Sequence, residues 1–282
     1  MWLKTWRIAY GVFTIHQLVP SHIIMKKIIA LALVVLSFTT ASAQQGLQFG
    51  LRINPELTGY QNTSDANASS ELQFASHFSY LSFGAGAIYN IDKNIGFGVD
   101  ILFSREGQAY TGTFNNTPPR SDAYSAIVAK QLSLNGEVVI GGYVALAEIN
   151  YIKIPLMLSI TTDNTQAFFL TLLVGPQLNF LHGAAQEVNQ TDHDYPNTTI
   201  TPNDLYNSFA LGAVIAVGGS INLSPQWVLS GKLRFDYGLT DAENKDLMVS
   251  YHGAPAVKFY SSDRTASHTE TIGLMIGLDI KL

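Results

Sequence analysis

Hydrophobic and polar residues alternate one by one over several long segments of this chain. From Thr271 to the C-terminus, one set of alternate positions is apolar from Ile272 to Leu282, while the other carries glycine, threonine, Met275 or a charge such as Asp279. Side chains of a β-strand point alternately to opposite faces, so a period of two predicts strands with one apolar face. The same alternation begins near Gly46, Ile95 and Trp227. The pattern predicts an all-β protein.

Eight such segments follow one another along the chain, at residues 46–54, 78–91, 95–111, 148–161, 167–181, 208–223, 227–240 and 269–282. The connections between them alternate between short turns and long polar segments, the long ones covering residues 55–77, 112–147, 182–207 and 241–268. This alternation is typical of a membrane-spanning antiparallel up-and-down β-barrel with short periplasmic turns and long extracellular loops. Hydrocarbon offers no partner for an open strand edge, so the sheet must close.

The connection at residues 112–147 could contain two further strands, which would raise the number of strands from eight to ten. Residues 126–134 and 137–144 flank Asn135-Gly136, a pair typical of a two-residue hairpin turn. No turn signal separates Gly142 from the membrane strand that follows, which favours eight strands with a projecting extension. Ten strands are the alternative. A soluble β-sandwich also alternates, but it rarely combines short turns with long loops in this order.

The N-terminal region has the order of a secretory signal peptide. An apolar run from Ile28 to Phe38 follows Met25 and two lysines, and it precedes Ala41-Ser42-Ala43. The run is shorter than the roughly 20 residues of a membrane-spanning helix. We therefore expect a signal peptide at residues 25–43, cleaved after Ala43, and a barrel domain at residues 44–282. Residues 1–24 are expected to be an upstream extension of the start site.

Charge and composition exclude several functions. Residues 1–43 hold four basic and no acidic side chains, so the mature chain has 12 basic and 21 acidic residues, a formal charge of −9. An acidic exported chain argues against nucleic acid as a partner. The absence of cysteine excludes disulfides and thiol chemistry. Asp192-His193-Asp194, in an Asn- and Thr-rich loop, is interpreted as a solvated turn. No catalytic residue, cofactor or metal site is predicted.

Lys153 and Pro155 are unusual within the apolar segment 151–160. If the isoleucines and leucines of this segment face lipid, Lys153 points into the barrel. A lone charge there is unfavourable, so charges of opposite sign should face it. Alternation places a structural network of charges inside, with Lys281 at its end: Arg52, Asp100, Glu106, Lys153, Lys232, Arg234, Asp236 and Asp279.

Two details of this interior can be predicted. Asp100 and Glu106 lie on the strand before Lys153 and are its expected partners. Pro155 has no N–H to donate, so a bulge or a missing hydrogen bond is expected beside it.

Aromatic residues gather near the predicted strand ends, as in the aromatic girdles of membrane barrels. The outer group is Tyr80, Tyr151, Phe180, Phe209 and Tyr237, and the inner group is Tyr89, Phe168 and Trp227.

The motif from Ile152 to Leu158 and the sequence Gly175-Pro176-Gln177-Leu178, together with the signal peptide and eight strands, resemble the PorT-type outer-membrane β-barrel family. The likeness covers essentially the whole mature chain. It implies a small barrel in the outer membrane of a Gram-negative cell, with some members linked to protein secretion or surface interaction. The position of Lys153 is commonly acidic in that family, and this chain departs from it.

The size of the barrel limits the functions that the protein can have. Eight strands enclose an interior just wide enough for side chains, which argues against a general porin. We expect a non-enzymatic protein with a structural or interaction role, whose partners are outer-membrane lipid and an extracellular or secretion-machinery protein. A lipid-modifying hydrolase is one alternative, with candidate groups His77 with Ser79, His182, and His268 with Ser267. A narrow solute channel is the other.

Overall fold

The computed structural model describes residues 46–66, 73–114, 141–190, 202–249, 257–258, 260 and 264–282. These residues belong to one compact unit, Gln45–Leu282. The predictions for residues 1–24 and 25–43, for the Asn135-Gly136 turn and for Asp192-His193-Asp194 lie outside the described residues.

Eight strands form a closed antiparallel barrel, which confirms the predicted fold. They are β1 (Leu47–Gln61), β2 (Gln73–Asn90), β3 (Ile95–Phe114), β4 (Gly141–Thr161), β5 (Phe168–Gln190), β6 (Phe209–Asn222), β7 (Trp227–Gly238) and β10 (His268–Lys281). Around the barrel they follow the order β1-β10-β7-β6-β5-β4-β3-β2. A separate two-stranded ribbon joins β8 (Met248–Val249) to β9 (Val257–Lys258). Short helical turns occupy Thr63–Ala66 and Pro202–Leu205. Within the described part of the chain, no helix is long and apolar enough to span a membrane.

The two faces of the sheet follow the sequence alternation. On β10, residues from Thr269 to Asp279 alternate between buried and exposed, and the exposed ones are apolar from Ile272 onward. On β4 the outward apolar row runs from Ile152 to Ile160. Rows of this length match the roughly 9 to 11 residues that a tilted strand needs to cross the hydrocarbon. We call this outward apolar face of the barrel the lipid-facing belt.

Several strands continue well beyond their predicted outer ends. The strands β3, β4 and β5 have 20, 21 and 23 residues, against 12 in β7 and 14 in β6 and β10. Above the membrane, water reaches the outer face, so a strand can continue there without an apolar row. That removes the period-two signal from the sequence. Residues 141–144, predicted as part of a strand extension, belong to β4.

The pairing of β3 with β4 is interrupted beside Pro155, as predicted. Val99 pairs with Leu156 and Leu102 with Lys153 in one continuous register, but Ile154 and Pro155 have no ladder partner on β3. A bulge lies farther out, where the register of β4 with β5 shifts between Asn150 and Tyr151. The missing N–H of proline is therefore accommodated by a local gap in the ladder.

The side chain of Tyr80 lies outside the described residues, and the other predicted interface aromatics face outward near the strand ends with one exception. The exposed side chains of Phe180 and Phe209 pack at a ring-centroid distance of 5.3 Å near the outer boundary. Phe168 and Trp227 are exposed near the inner boundary. The assignment of Tyr151 to the outer interface is wrong, because its side chain points inward and is 1% exposed.

Candidate functional site: the filled lumen and the outer cap

Lys153 lies at the centre of a buried ion-pair cluster in the upper lumen. Its Nζ contacts Oε1 of Glu106 on the neighbouring strand β3 and lies 2.8 Å from Oδ2 of Asp236, across the lumen on β7. Arg234 holds the other oxygen of Asp236, with Nε at 2.8 Å from Oδ1. Lys153 and Arg234 are each 1% exposed, so these charges are neutralised by one another and not by water.

A second cluster fills the lower lumen, toward the periplasmic turns. Arg52 on β1 places Nη2 2.7 Å from Oδ1 of Asp279 on β10. Its Nε lies 3.5 Å from Asp100, which is also 4.0 Å from Arg234. Asp100 therefore faces Arg52 and Arg234, whereas the sequence favoured Lys153 as its partner. Arg234 connects the two clusters.

All eight charged residues predicted to face inward are buried, and we call this group the inner network. Lys232, 4% exposed on β7, forms no ion pair within 4.0 Å with any described residue. Lys281 is half-buried at the periplasmic end, where Nζ donates to Oδ1 of Asn222 at 2.8 Å.

Glu56 is an inward charge that the sequence reasoning missed. It is 3% exposed and accepts hydrogen bonds from Asn54 Nδ2 at 2.6 Å, Ser82 Oγ at 2.9 Å and Ser104 Oγ at 3.0 Å. The first predicted strand ended at residue 54, just before Pro55. The alternation nevertheless continues, with Asn54, Glu56 and Thr58 inward, and that signal could have found it.

Glycines beside the charged residues make room for the inner network. Gly86 is the cross-strand partner of Asp100, and a Cβ there would lie 1.7 Å from Asp100 Oδ1. Gly50 is the partner of Asp279, and its Cβ would lie 2.1 Å from Asp279 Oδ1. In so narrow a barrel, carboxylates can lie flat against the wall only where the neighbouring residue has no side chain.

The outer mouth is covered by two extracellular connections, which we call the outer cap: residues 202–208 together with 239–249, 260 and 264–267. Its apolar underside, including Leu205 and Tyr260, packs against Ile149 and Tyr151 of the inward face of β4. Leu205 and Ile149 are 0% exposed. The cap therefore extends the core of the barrel above the membrane.

Backbone hydrogen bonds lock the parts of the outer cap together. Asn207 N donates to Ala242 O and Asn244 N to Leu205 O, both at 2.9 Å. Ala242 N donates to Ser267 O at 2.8 Å. The start of the β1–β2 connection joins them, since Asn62 Nδ2 donates to Ser267 Oγ at 2.7 Å. Paired backbone groups of this kind are typical of a fixed structure.

A buried carboxylate anchors the polar side of the outer cap. Glu243 accepts two hydrogen bonds from Arg264, from Nε at 2.7 Å and from Nη2 at 2.6 Å. Lys245 Nζ lies 2.5 Å from Glu243 Oε2 and 5.0 Å from the centre of the Tyr260 ring. Burial alone would raise the pKa of Glu243, but the bonds and charges of Arg264 and Lys245 outweigh it and hold this pKa below its usual value.

The described histidine candidates do not form a nucleophile and base pair. His268 Nδ1 is 2.9 Å from Gly238 O, and its ring stacks on Tyr237. Ser267 bonds to Asn62 instead. His182 is exposed at the bulge of β5. The side chains of His77 and Ser79 lie outside the described residues. Among the residues that the structure describes, no group of three or more His, Asp or Glu side chains could hold a metal ion.

Three of the solved structures that are similar to this chain share low sequence identity with it. Neisserial surface protein A is 12% identical, with 84% of this chain and 97% of that chain covered and a TM-score of 0.37. Ail of Yersinia pestis is 9% identical, with 84% and 99% covered and a TM-score of 0.37. A major outer membrane protein of Thermus thermophilus is 11% identical, with 84% and 99% covered and a TM-score of 0.41. At these TM-scores the likenesses carry no weight for function.

No curated protein matches the chain significantly. The model of one protein family does match, over residues 42–244, and this family is the outer membrane protein beta-barrel domain. The match covers most of the eight strands, and the closed barrel with its lipid-facing belt is the architecture that such a domain requires. The chain therefore belongs to the outer membrane protein β-barrel domain family.

Proposed function

We propose that this protein is a non-enzymatic, non-conducting outer-membrane barrel whose outer cap binds an extracellular or secretion-machinery protein. The observation that carries the proposal is the outer cap itself, a fixed surface built on a lumen that is already filled. The PorT-type affiliation suggested by the motif from Ile152 to Leu158 is part of this proposal, and so is export by a cleaved signal peptide.

The filled lumen favours an interaction role over transport. Lys153 and Tyr151 on β4, Arg234 on β7 and Met275 on β10 point into the lumen from three strands, and each is at most 1% exposed. Side chains that exclude water to this degree occupy the path that a solute would take. A narrow channel would require the inner network to move aside, which would break buried ion pairs.

The order of the outer cap favours recognition of a partner. A loop that must become ordered on binding loses conformational entropy, and this loss weakens the affinity. The backbone hydrogen bonds and the Glu243–Arg264 pair hold residues 202–208 and 239–249 in place. The conformational entropy of these residues is therefore already lost in the free protein, before a partner binds. Asp246, whose side chain is 92% exposed, lies on the outside of this surface.

The proposal can be tested by photocrosslinking in the native outer membrane. A photoreactive amino acid at Asp246 should form a reproducible adduct with one protein, because this position faces outward from the outer cap. The matched control is Leu233, which is 54% exposed on the lipid-facing belt and should yield lipid adducts or none. Absence of a protein adduct at Asp246, and also at the exposed Thr265, would contradict the proposal.

The same cells test the hydrolase alternative. We expect the turnover of outer-membrane lipid to be equal in wild type, His182→Ala and His268→Ala, since neither described histidine contacts a serine hydroxyl. Loss of lipid turnover in either variant would favour the hydrolase instead.

A further inference from the structure

A row of polar side chains crosses three neighbouring strands on the outer face of the barrel, just above the lipid-facing belt. On β3 the outward residues are apolar from Ile95 to Phe103, and the next outward residue is Arg105. Arg105 pairs across the ladder with Asn150 of β4. Asn150 in turn pairs with Gly183 of β5, next to His182.

The bulge between β4 and β5 places His182 in this row. Tyr151 pairs with Leu181 and Asn150 with Gly183, so His182 is the additional residue of β5. Its side chain is exposed, directly above the exposed Phe180. Bulges are often found where a strand must redirect a side chain. Neighbouring strands lie about 4.8 Å apart, so the row from Arg105 to His182 spans about 10 Å.

The chemistry of the row favours an anionic headgroup. The Arg105 side chain is 51% exposed, and its Nη2 contacts Glu148, which fixes the position of the guanidinium. Asn150 and His182 can both donate hydrogen bonds, and neither side chain bonds to another described residue. Guanidinium and N–H donors in one plane suit phosphate oxygens.

The rest of the rim explains why the site lies on this side of the barrel. At the corresponding height on β10 the outward residue is Glu270, whose carboxylate accepts a bond from Gln61 Nε2 at 2.6 Å. A carboxylate repels phosphate, and on the side of the rim formed by β3, β4 and β5 the carboxylate of Glu148 is neutralised by its contact with Arg105. Below the row, the apolar columns ending at Phe103, Ile152 and Phe180 can contact acyl chains.

We propose that Arg105, Asn150 and His182 bind the phosphate of an acylated lipid in the outer leaflet, with its chains lying along the columns below. The site is separate from the outer cap and does not depend on the protein partner proposed above. Arg105 supplies the charge, while Asn150 and His182 supply the remaining donors.

Native mass spectrometry of the mature protein in detergent tests this site with three probes: diphosphorylated lipid A, the same lipid without phosphates, and inorganic phosphate. We expect the phosphorylated lipid to bind about tenfold more tightly than the dephosphorylated one, as one charge-assisted contact allows. Arg105→Gln should remove this preference, and Arg105→Lys should retain part of it. Lys93→Gln, an exposed cation in a periplasmic turn, should leave it unchanged.

Unaltered gel mobility of the unheated protein will establish that each variant is folded, which is expected because Arg105 is outside the core. Equal binding of the two lipids by wild type, or an unchanged preference in folded Arg105→Gln, would overturn the proposal. Full displacement of the lipid by inorganic phosphate would also overturn it, because it would assign the site to free phosphate.

Discussion

Removing the positive charge at Lys153 is the sharpest test of the inner network. Lys153→Met keeps most of the length of the side chain but leaves the carboxylates of Glu106 and Asp236 without their ammonium partner. Asp236 retains Arg234, with Nε at 2.8 Å from Oδ1. Glu106 is 1% exposed, and its other oxygen has no hydrogen bond among the described residues. The loss of electrostatic stabilisation therefore affects mainly Glu106.

The magnitude follows from the cost of an uncompensated buried charge. Breaking one side of a buried ion pair typically costs about 3 to 5 kcal/mol, and we expect about 3 kcal/mol for Lys153→Met because Asp236 stays paired. Urea unfolding in detergent micelles measures this cost. Trp227 is the single tryptophan of residues 44–282 and lies on the lipid-facing belt, so its fluorescence reports unfolding.

Second-site variants separate this explanation from a simple packing defect. Adding Glu106→Gln to Lys153→Met should recover at least about half of the lost stability, because the stranded carboxylate becomes neutral. Adding Asp236→Asn should not recover it, because Arg234 would then lose its nearest carboxylate. Lys258→Met is the control, since among the described residues Lys258 forms one ion pair, an exposed one with Asp246. Equal stability of Lys153→Met and wild type, or no rescue by Glu106→Gln, would refute the reasoning.

Three further predictions concern other parts of the chain. Gly86→Ala should destabilise the barrel by about 1 to 3 kcal/mol in the same urea assay, because its Cβ would meet Asp100, whereas Gly231→Ala, with nothing within 4 Å, should not. Glu243→Gln should speed proteolysis within residues 239–249 at neutral pH. In wild type the same increase in proteolysis should begin as the pH falls below 4.5, the ordinary pKa of a glutamate. A carboxyl whose pKa is lowered in the folded state stabilises that state above its ordinary pKa, and this stabilisation is lost as the carboxyl becomes protonated. The N-terminal sequence of protein from outer membranes should begin at Gln44 or Gln45, and retention of residues 1–24 would contradict the predicted start site.

Much of the barrel could be predicted because lipid imposes a strict period of two. The outward rows of β10 and β4 are apolar without interruption, so the face of Lys153 followed from its position between Ile152 and Ile154. Glu106 could be suggested as a partner because it lies on the adjacent strand. Asp236 could not be suggested as a partner, because β7 faces β4 only across the lumen. The height of Asp236 in the barrel depends on the tilt and stagger of the strands.

The outer parts of the molecule were less predictable for a different reason. Beyond the membrane neither face of a strand has to be apolar, so the continuation of β5 to Gln190 left no alternating pattern. The outer cap depends on contacts between segments far apart in the chain, such as Glu243 with Arg264 and Asn62 with Ser267. Glu56 was missed because the first predicted strand ended just before Pro55, although a proline can lie in a strand where its N–H is not needed.

Electrical recording across a planar lipid bilayer tests the central claim most directly, namely that the barrel is filled by the inner network and closed by the outer cap. Purified mature protein should insert without producing discrete ion-current steps, and Glu243→Gln should remain silent as well, because the inner network still fills the lumen when the outer cap is loosened. Discrete, reproducible current steps from wild-type protein, absent from protein-free detergent controls, would contradict the account and favour the narrow solute channel.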